Sequence, residues 1–233
     1  MITLYRFAPV WGIPNLSPAC VKVETYLRMV NLPYEVRSAV PMKGPKGKLP
    51  FIEDKGKRIA DSRFIIEYVQ QSYGVDPDKD LSRQERAIST AMQRMIDDDL
   101  YWVILYSRAV MPENWHEYKQ ALFHALPPII RDIAATVVRR HLQRELYGQG
   151  MGRHTGSEVF DLGKSDLTSL SDFLGDKPFF MGGQPTILDA TAFGFLVNVL
   201  WCPIKSPLKE HAKQLENLLQ FSDRMKTRFF AAA

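Results

Sequence analysis

Apolar residues fall into two regimes along the chain. Up to Tyr73 they come in short runs of strand length and in two stretches with helical spacing; after Asp80 they recur only at helical spacing. Residues 2–7 (Ile-Thr-Leu-Tyr-Arg-Phe) read as a buried strand, and residues 8–16, with Pro9, Gly12 and Pro14, as a loop. From Ser17 to about Val30 the apolar positions Val21, Val23, Tyr26, Leu27 and Val30 predict a helix, which Asn31-Leu32-Pro33 ends because proline cannot continue it. Tyr34–Arg37 reads as a second strand. Leu49–Glu53 and Lys57–Ala60 read as a third and fourth, joined by the turn Asp54-Lys55-Gly56 into a hairpin. Ser62–Tyr73 is predicted helical, with Phe64, Ile65, Tyr68 and Val69 on one face and Gly74 at its C-terminal cap.

Asp76-Pro77-Asp78-Lys79-Asp80 is polar and interrupted by proline, which suits a linker. The expected division is therefore a first domain over 1–75, a linker over 76–82 and an all-helical domain over 83–233. Its predicted helices are Ser82–Val110, Glu113–Tyr147 with a break near Pro127-Pro128, Ser157–Leu174, Thr186–Trp201 and Pro207–Phe229. The longest apolar run, Ala190–Cys202, is interrupted by Asn198 and is shorter than the ~20 residues of a membrane span. It reads as a buried helix, and no membrane span is expected.

Composition is that of an ordinary soluble globular protein, with 45% hydrophobic and 24% charged residues in 233. The net charge of +4 is uneven: 11 Lys/Arg stand against 7 Asp/Glu up to Asp76, and the remainder cancels. Lys43, Lys46, Lys48, Lys55, Lys57, Arg58 and Arg63 crowd one part of the first domain. They fit either a small anionic ligand or a solvated, lysine-rich loop. A neutral remainder without a nucleic-acid motif argues against nucleic acid as a partner. Cys20 and Cys202 are too few for a zinc cluster or a disulfide framework and suit a reducing compartment. With no basic-then-apolar leader, a cytoplasmic location is expected. The five histidines show no metal-ligand spacing, so no metal is expected. Asp97-Asp98-Asp99 could hold a cation, but adjacent helical positions point apart, so a surface or cleft-side cluster is the plainer reading.

Candidate chemistry gathers at Ser17-Pro18-Ala19-Cys20. Ser17 suits an N-cap and Pro18 the first helical position, so a hydroxyl lies at a helix mouth and a thiol one turn inside. Free N–H groups and the helix dipole favour an anion there. The plainer readings are a capping serine and a small buried cysteine.

The order β-α-β, β-β-α, then helices resembles the cytosolic glutathione transferase fold. Four motifs carry the resemblance: Ser17–Cys20 after the first strand; Lys46-Gly47-Lys48-Leu49-Pro50-Phe51, like the loop bearing that fold's cis-proline; Ala60-Asp61-Ser62, like its acid–serine pair; and Gly183–Ala190, like the capping motif of its helical domain. The phrases from Ser17 to Arg28 and from Gly148 to His154 are most similar to the branch containing metaxins and failed-axon-connections proteins. The resemblance implies a thioredoxin-like N-terminal domain with its second helix reduced, since only Ser38–Lys48 is available for it, and an all-α C-terminal domain. It implies glutathione as co-substrate, with the thiolate stabilised by Ser17, the peptide backbone along Leu49 and Pro50, the γ-glutamyl end on Asp61 and Ser62, and the glycyl carboxylate near Lys48 or Lys46. Catalytic candidates are Ser17 and Cys20. A small hydrophobic electrophile would enter near Tyr101, Trp102, Tyr106 or Trp115. The expected function is glutathione conjugation, with a Cys20-dependent thiol reductase or a non-catalytic, metaxin-like interaction protein as alternatives. A homodimer is what the resemblance implies. Thr186 and Asp189 form a capping box and are assigned structure, not chemistry.

Overall fold

The computed structural model describes residues 1–231. Its first part runs β1 (Ile2–Arg6), α1 (Pro18–Met29), β2 (Tyr34–Ser38), β3 (Phe51–Asp54), β4 (Lys57–Ala60) and α2 (Ser62–Tyr73). The strands lie in the order β2-β1-β3-β4, with β1–β2 parallel and the other pairs antiparallel. This is the thioredoxin-like arrangement, and a single tight turn, Pro41–Lys43, stands between β2 and β3 where a second helix would lie.

The register decides where chemistry can gather. Tyr5 of β1 pairs with Phe51 of β3, and Phe51 with Ala60 of β4. The chain leaves β1 towards Ser17, enters β3 from Leu49-Pro50 and leaves β4 into Asp61-Ser62. All three segments therefore meet at one end of the sheet. Under them Cys20, Leu49, Phe51 and Ala60 form one buried cluster, with Tyr5 and Phe7 against it.

The remainder is helical: α3 (Arg83–Met95), a wider π turn (Ile96–Leu100), α4 (Tyr101–Ala109), α5 (Pro112–Phe123), α6 (Pro128–Gln149), α7 (Gly156–Leu174), α8 (Ile187–Leu200), α9 (Pro207–Ala212) and α10 (Glu216–Phe230). The helix expected over 207–229 is broken at 213–215. Leu208 and Leu218 are both buried. Ten residues of unbroken helix would place them about 80° apart on the wheel, and the break re-aims Leu218, Phe221 and Met225 at the core. No single helix among the described residues is long and apolar enough to cross a membrane; α5 and α6 pass only as a pair bent by 116°.

Every residue of α8 is buried, as expected of a helix apolar all round. Its N-terminus is held by Asp189, whose carboxylate accepts from the Thr186 N–H and hydroxyl, both at 2.7 Å, and from the Phe180 N–H at 2.8 Å. Asp78 accepts from the Ile187 N–H at 2.8 Å, so the connecting segment is tied to this helix.

α1 crosses α8 at Gly194. A Cβ there would come 2.6 Å from the Pro18 carbonyl oxygen and 3.0 Å from the Lys22 nitrogen, both backbone atoms. In an ordinary helix interior Gly→Ala gains about 1 kcal/mol. Here Gly194→Ala is expected to destabilise by about 1–3 kcal/mol, because α1 must move off α8. The urea midpoint checks the sign, and a more stable variant would contradict the close crossing.

Candidate functional site

Ser17 is held from several sides. It caps α1 in an extended conformation, φ −97°, and its oxygen accepts from the Cys20 N–H at 3.4 Å. Its own N–H donates to Asn15 Oδ1 at 3.1 Å, and Asn15 Nδ2 donates to the Phe7 carbonyl at 2.8 Å. The helical part adds two further ties: Arg108 donates to the Leu16 carbonyl at 2.8 Å, and Asn198 Nδ2 donates to the Asn15 carbonyl at 3.1 Å. Capping uses the hydroxyl oxygen as acceptor and leaves its hydrogen to donate, so the capping and chemical roles of Ser17 are compatible. Asn15 and Arg108 carry no motif. Asn198 alone left a trace in the sequence, as an amide interrupting an apolar run, which a buried helix accepts only if the amide is hydrogen-bonded.

Cys20 fits the plainer of its two readings, a small buried cysteine. Its side chain is fully buried among Leu49, Phe51 and Ala60. Burial pushes its thiol up to about 12, although the Ser17 hydroxyl and the Phe7 backbone favour the thiolate. A thiol buried in this way is a packing residue.

Leu49-Pro50 is a cis peptide, both residues are buried, and Lys48 before them is exposed. The loop folds tightly on itself: a Cβ on Gly44 would overlap sterically with the Lys48 carbonyl oxygen, which only glycine avoids. Lys46 stands over Phe64, its ammonium 4.2 Å from the ring centroid. Asp61 adopts φ +80°, an uncommon conformation for a non-glycine residue. Its carboxylate caps α2 by accepting from the Arg63 N–H at 3.0 Å. Such local strain costs about 1–3 kcal/mol and clusters at ligand-holding positions. Asp61 is exposed and Ser62 is buried as the first residue of α2.

The acidic triplet divides three ways because the π turn aims its residues apart. Asp97 takes Lys22 at 2.6 Å, with Arg63 Nε at 4.0 Å. Asp98 takes Arg63 at 3.0 Å and Arg94 at 3.5 Å. Asp99 acts on Asp166 of α7, whose Oδ2 is buried without a hydrogen-bond partner among the described residues. Burial, with the charge of Asp99 adding to it, pushes Asp166 up to about 7. The folded protein therefore holds a proton that the unfolded chain releases above about 4. This contribution is complete below that pH and is lost as pH rises towards 7. Asp166→Asn is expected to match the wild type near pH 4 and to exceed it at pH 8, by up to about 4 kcal/mol. Thermal melts across this range check it; parallel curves would contradict it.

The four aromatic residues expected around an electrophile do not form one wall. Tyr101 and Trp102 pack edge to face on the helical core, and Tyr106 packs on Phe160. Trp115 joins Trp11, Phe7 and Tyr118 in a separate cluster beside the loop that leads to Ser17. Trp11 also donates to Glu117 at 3.0 Å, which fixes that loop to α5.

Comparison with known proteins agrees with this construction. The family model described as Glutathione S-transferase N-terminal domain matches residues 18–114, and that described as Glutathione S-transferase, C-terminal domain matches residues 163–225. Isoprene-epoxide–glutathione S-transferase of Rhodococcus sp. strain AD45 is 32% identical over 237 residues, covering 98% of this chain and 99% of that protein. The chain belongs to the glutathione S-transferase family.

Within the glutathione S-transferases it stands with the metaxin-like branch. Failed axon connections of Drosophila melanogaster is 39% identical over 243 residues, which are 99% of this chain, and the chain spans 58% of that protein's length. Metaxin-3 of Xenopus laevis is 27% identical, covering 100% of this chain and 78% of that protein. Two solved structures share the fold at 16% identity. A β-etherase from Sphingobium sp. strain SYK-6 superposes with a TM-score of 0.65, covering 97% of this chain and 94% of that one. A glutathione S-transferase from Methylobacterium radiotolerans in complex with glutathione sulfonate gives 0.63, covering 97% and 91%.

Proposed function

We propose that this transferase-family chain conjugates the thiolate of glutathione to a small hydrophobic electrophile. The observation that carries the proposal is the convergence of the segments holding Ser17, Leu49-Pro50 and the strained Asp61-Ser62 pair at one sheet end, over the buried cluster of Cys20, Leu49, Phe51 and Ala60. The groups fit the peptide: Asp61 can accept from the γ-glutamyl ammonium, Ser62 at the mouth of α2 can hold its carboxylate, and the Leu49 backbone can pair with the cysteinyl unit. Lys48 is an exposed cation available to the glycyl end, as is Lys46 in the same loop. The thiol loses its proton to solvent, and Ser17 donates a hydrogen bond to the sulfur anion. The sulfur lone pair then forms a bond to an electrophilic carbon. With an epoxide, the ring C–O bond breaks and its oxygen takes a proton from water, so no oxidant or reductant is consumed. An epoxide is the first electrophile to try, given the 32% identity to an isoprene-epoxide transferase.

The non-catalytic alternative keeps one specific support, the 39% identity to Failed axon connections. The reductase alternative loses support with the burial of Cys20. Titration with millimolar glutathione, followed by tryptophan fluorescence and melting temperature, separates the readings. A saturable response followed by an epoxide adduct in mass spectrometry is expected; no response would favour the interaction protein. A homodimer belongs to the same proposal and is checked by light scattering. So does a cytoplasmic location, which is consistent with two free, buried cysteines.

A further inference from the structure

We propose that Arg108 is a positioning residue of the Ser17 site, fixing the segment before α1 and supplying an uncompensated positive charge that favours a thiolate there. The inference rests on the reading of Ser17 as the group that meets the glutathione sulfur.

Arg108 lies on α4 and is 3% exposed. Its guanidinium donates to the Leu16 carbonyl at 2.8 Å, to Asn198 Oδ1 at 2.8 Å and to the Asn198 carbonyl at 3.1 Å. Its Nε is buried with no hydrogen-bond partner among the described residues. The guanidinium carbon sits 5.5 Å from the Trp11 ring centroid and 5.8 Å from that of Tyr118. Rings and carbonyl dipoles ease the burial of a cation, but none of them neutralises it.

The other cations around α1 have carboxylate partners. Arg6 and Arg28 share Glu24, at 3.3 and 3.0 Å. Lys22 has Asp97 at 2.6 Å, and Arg63 has Asp98 at 3.0 Å. Tyr101 and Tyr118 face Arg108, and burial raises both, so they stay neutral. Of the carboxylates beyond these rings, Glu145 acts on Tyr101 and Glu117 accepts from the Trp11 indole N–H, and neither forms an ion pair with the guanidinium. Cys20, on the far side of Ser17, is neutral for the same reason. Arg108 is thus a permanent cation with no anion of its own, bonded to the residue next to Ser17. A staple between Leu16 and Asn198 needs hydrogen-bond donors; it does not need a charge. In a poorly solvated setting that charge acts strongly on the nearest anion, adding to the positive end of α1. At this site the anion that the charge would favour is the sulfur of glutathione.

The test compares the full-length wild type with Arg108→Lys and Arg108→Met. Both variants lose the fork of donors, and both are expected to melt earlier. The bound thiol is titrated by its thiolate absorbance, and the pH profile of kcat/KM is recorded beside it. In Arg108→Met both profiles are expected to move about one pH unit alkaline, a tenfold loss of thiolate near neutrality. In Arg108→Lys they are expected to stay near the wild type. Glutathione affinity at acid pH, where the thiol is protonated in each protein, is expected to be unchanged.

Profiles that move equally in both variants, or in neither, would overturn the proposal and leave Arg108 a structural anchor. Should Arg108→Met fail to fold, Asn198→Asp sets a carboxylate against the guanidinium, and the same alkaline movement is expected; an unmoved profile overturns the proposal. Wild-type protein that binds no glutathione would overturn the reading of the site and this inference together. Wild-type protein that binds glutathione, with an unmoved Arg108→Met profile, overturns this inference alone.

Discussion

Asp97→Ala is expected to destabilise the protein by about 3–5 kcal/mol, because it leaves the ammonium of Lys22 buried without its counter-ion. The Lys22 side chain has 0% exposure and that of Asp97 9%, at a separation of 2.6 Å. Burial lowers the pKa of Lys22, and the charge of Asp97 opposes that lowering. Without Asp97 the lysine can escape the penalty by releasing its proton. Its folded-state pKa then lies further below the unfolded one, so the variant is least stable at low pH and recovers as pH rises. Urea unfolding at pH 6 and pH 9 checks both parts, and a pH-independent loss would contradict the mechanism. Lys22→Met combined with Asp97→Leu is expected to restore most of the stability, because a buried ion pair offers little net gain over apolar residues of similar volume. The pair joins the π turn to the first turns of α1, and Arg63 extends the connection to α2. The single variant is therefore also expected to loosen the site end of the sheet.

Strands and most helices were legible because their signals are local. The period-2 and period-3.6 patterns up to Tyr73 name every element of the first part to within two residues. The site end was legible through spacing: a helix cap after one strand, a proline before another and an acid–serine pair after a third fix which loops meet, once the sheet order is known. What escaped was set by long-range partners. The π turn reads as plain helix, because an extra residue in one turn is visible only in where Asp97, Asp98 and Asp99 end up. The break at 213–215 appears only when Leu208 and Leu218 are seen to share one core. Arg108, Asn198 and Asn15 act across sequence separations of 90 or more, and no local pattern encodes such a network. Cys20 shows the converse limit: its position in the motif left two readings open, and burial, which the motif does not report, separates them.

Ser17→Ala is expected to lower kcat/KM for glutathione conjugation at neutral pH by about 10²–10³, the usual cost of removing one donor aimed at a developing or resident anion. A second cost is separate: the alanine loses the cap accepted from the Cys20 N–H, worth about 1 kcal/mol of stability. Two companions separate the effects. Ser17→Thr keeps a hydroxyl at the cap and is expected to recover much of the activity. Cys20→Ala leaves the hydroxyl in place, removes a buried sulfur that is neutral at working pH, and is expected to change stability more than turnover. The pH profile is the sharper readout. If the hydroxyl stabilises the thiolate, the alanine variant should regain activity as pH rises and the free thiol ionises by itself. If Ser17 only caps α1, Ser17→Ala and Cys20→Ala will both lower the melting temperature, and neither will move that profile. Conjugation would then have to draw its thiolate from the helix terminus and Arg108 alone.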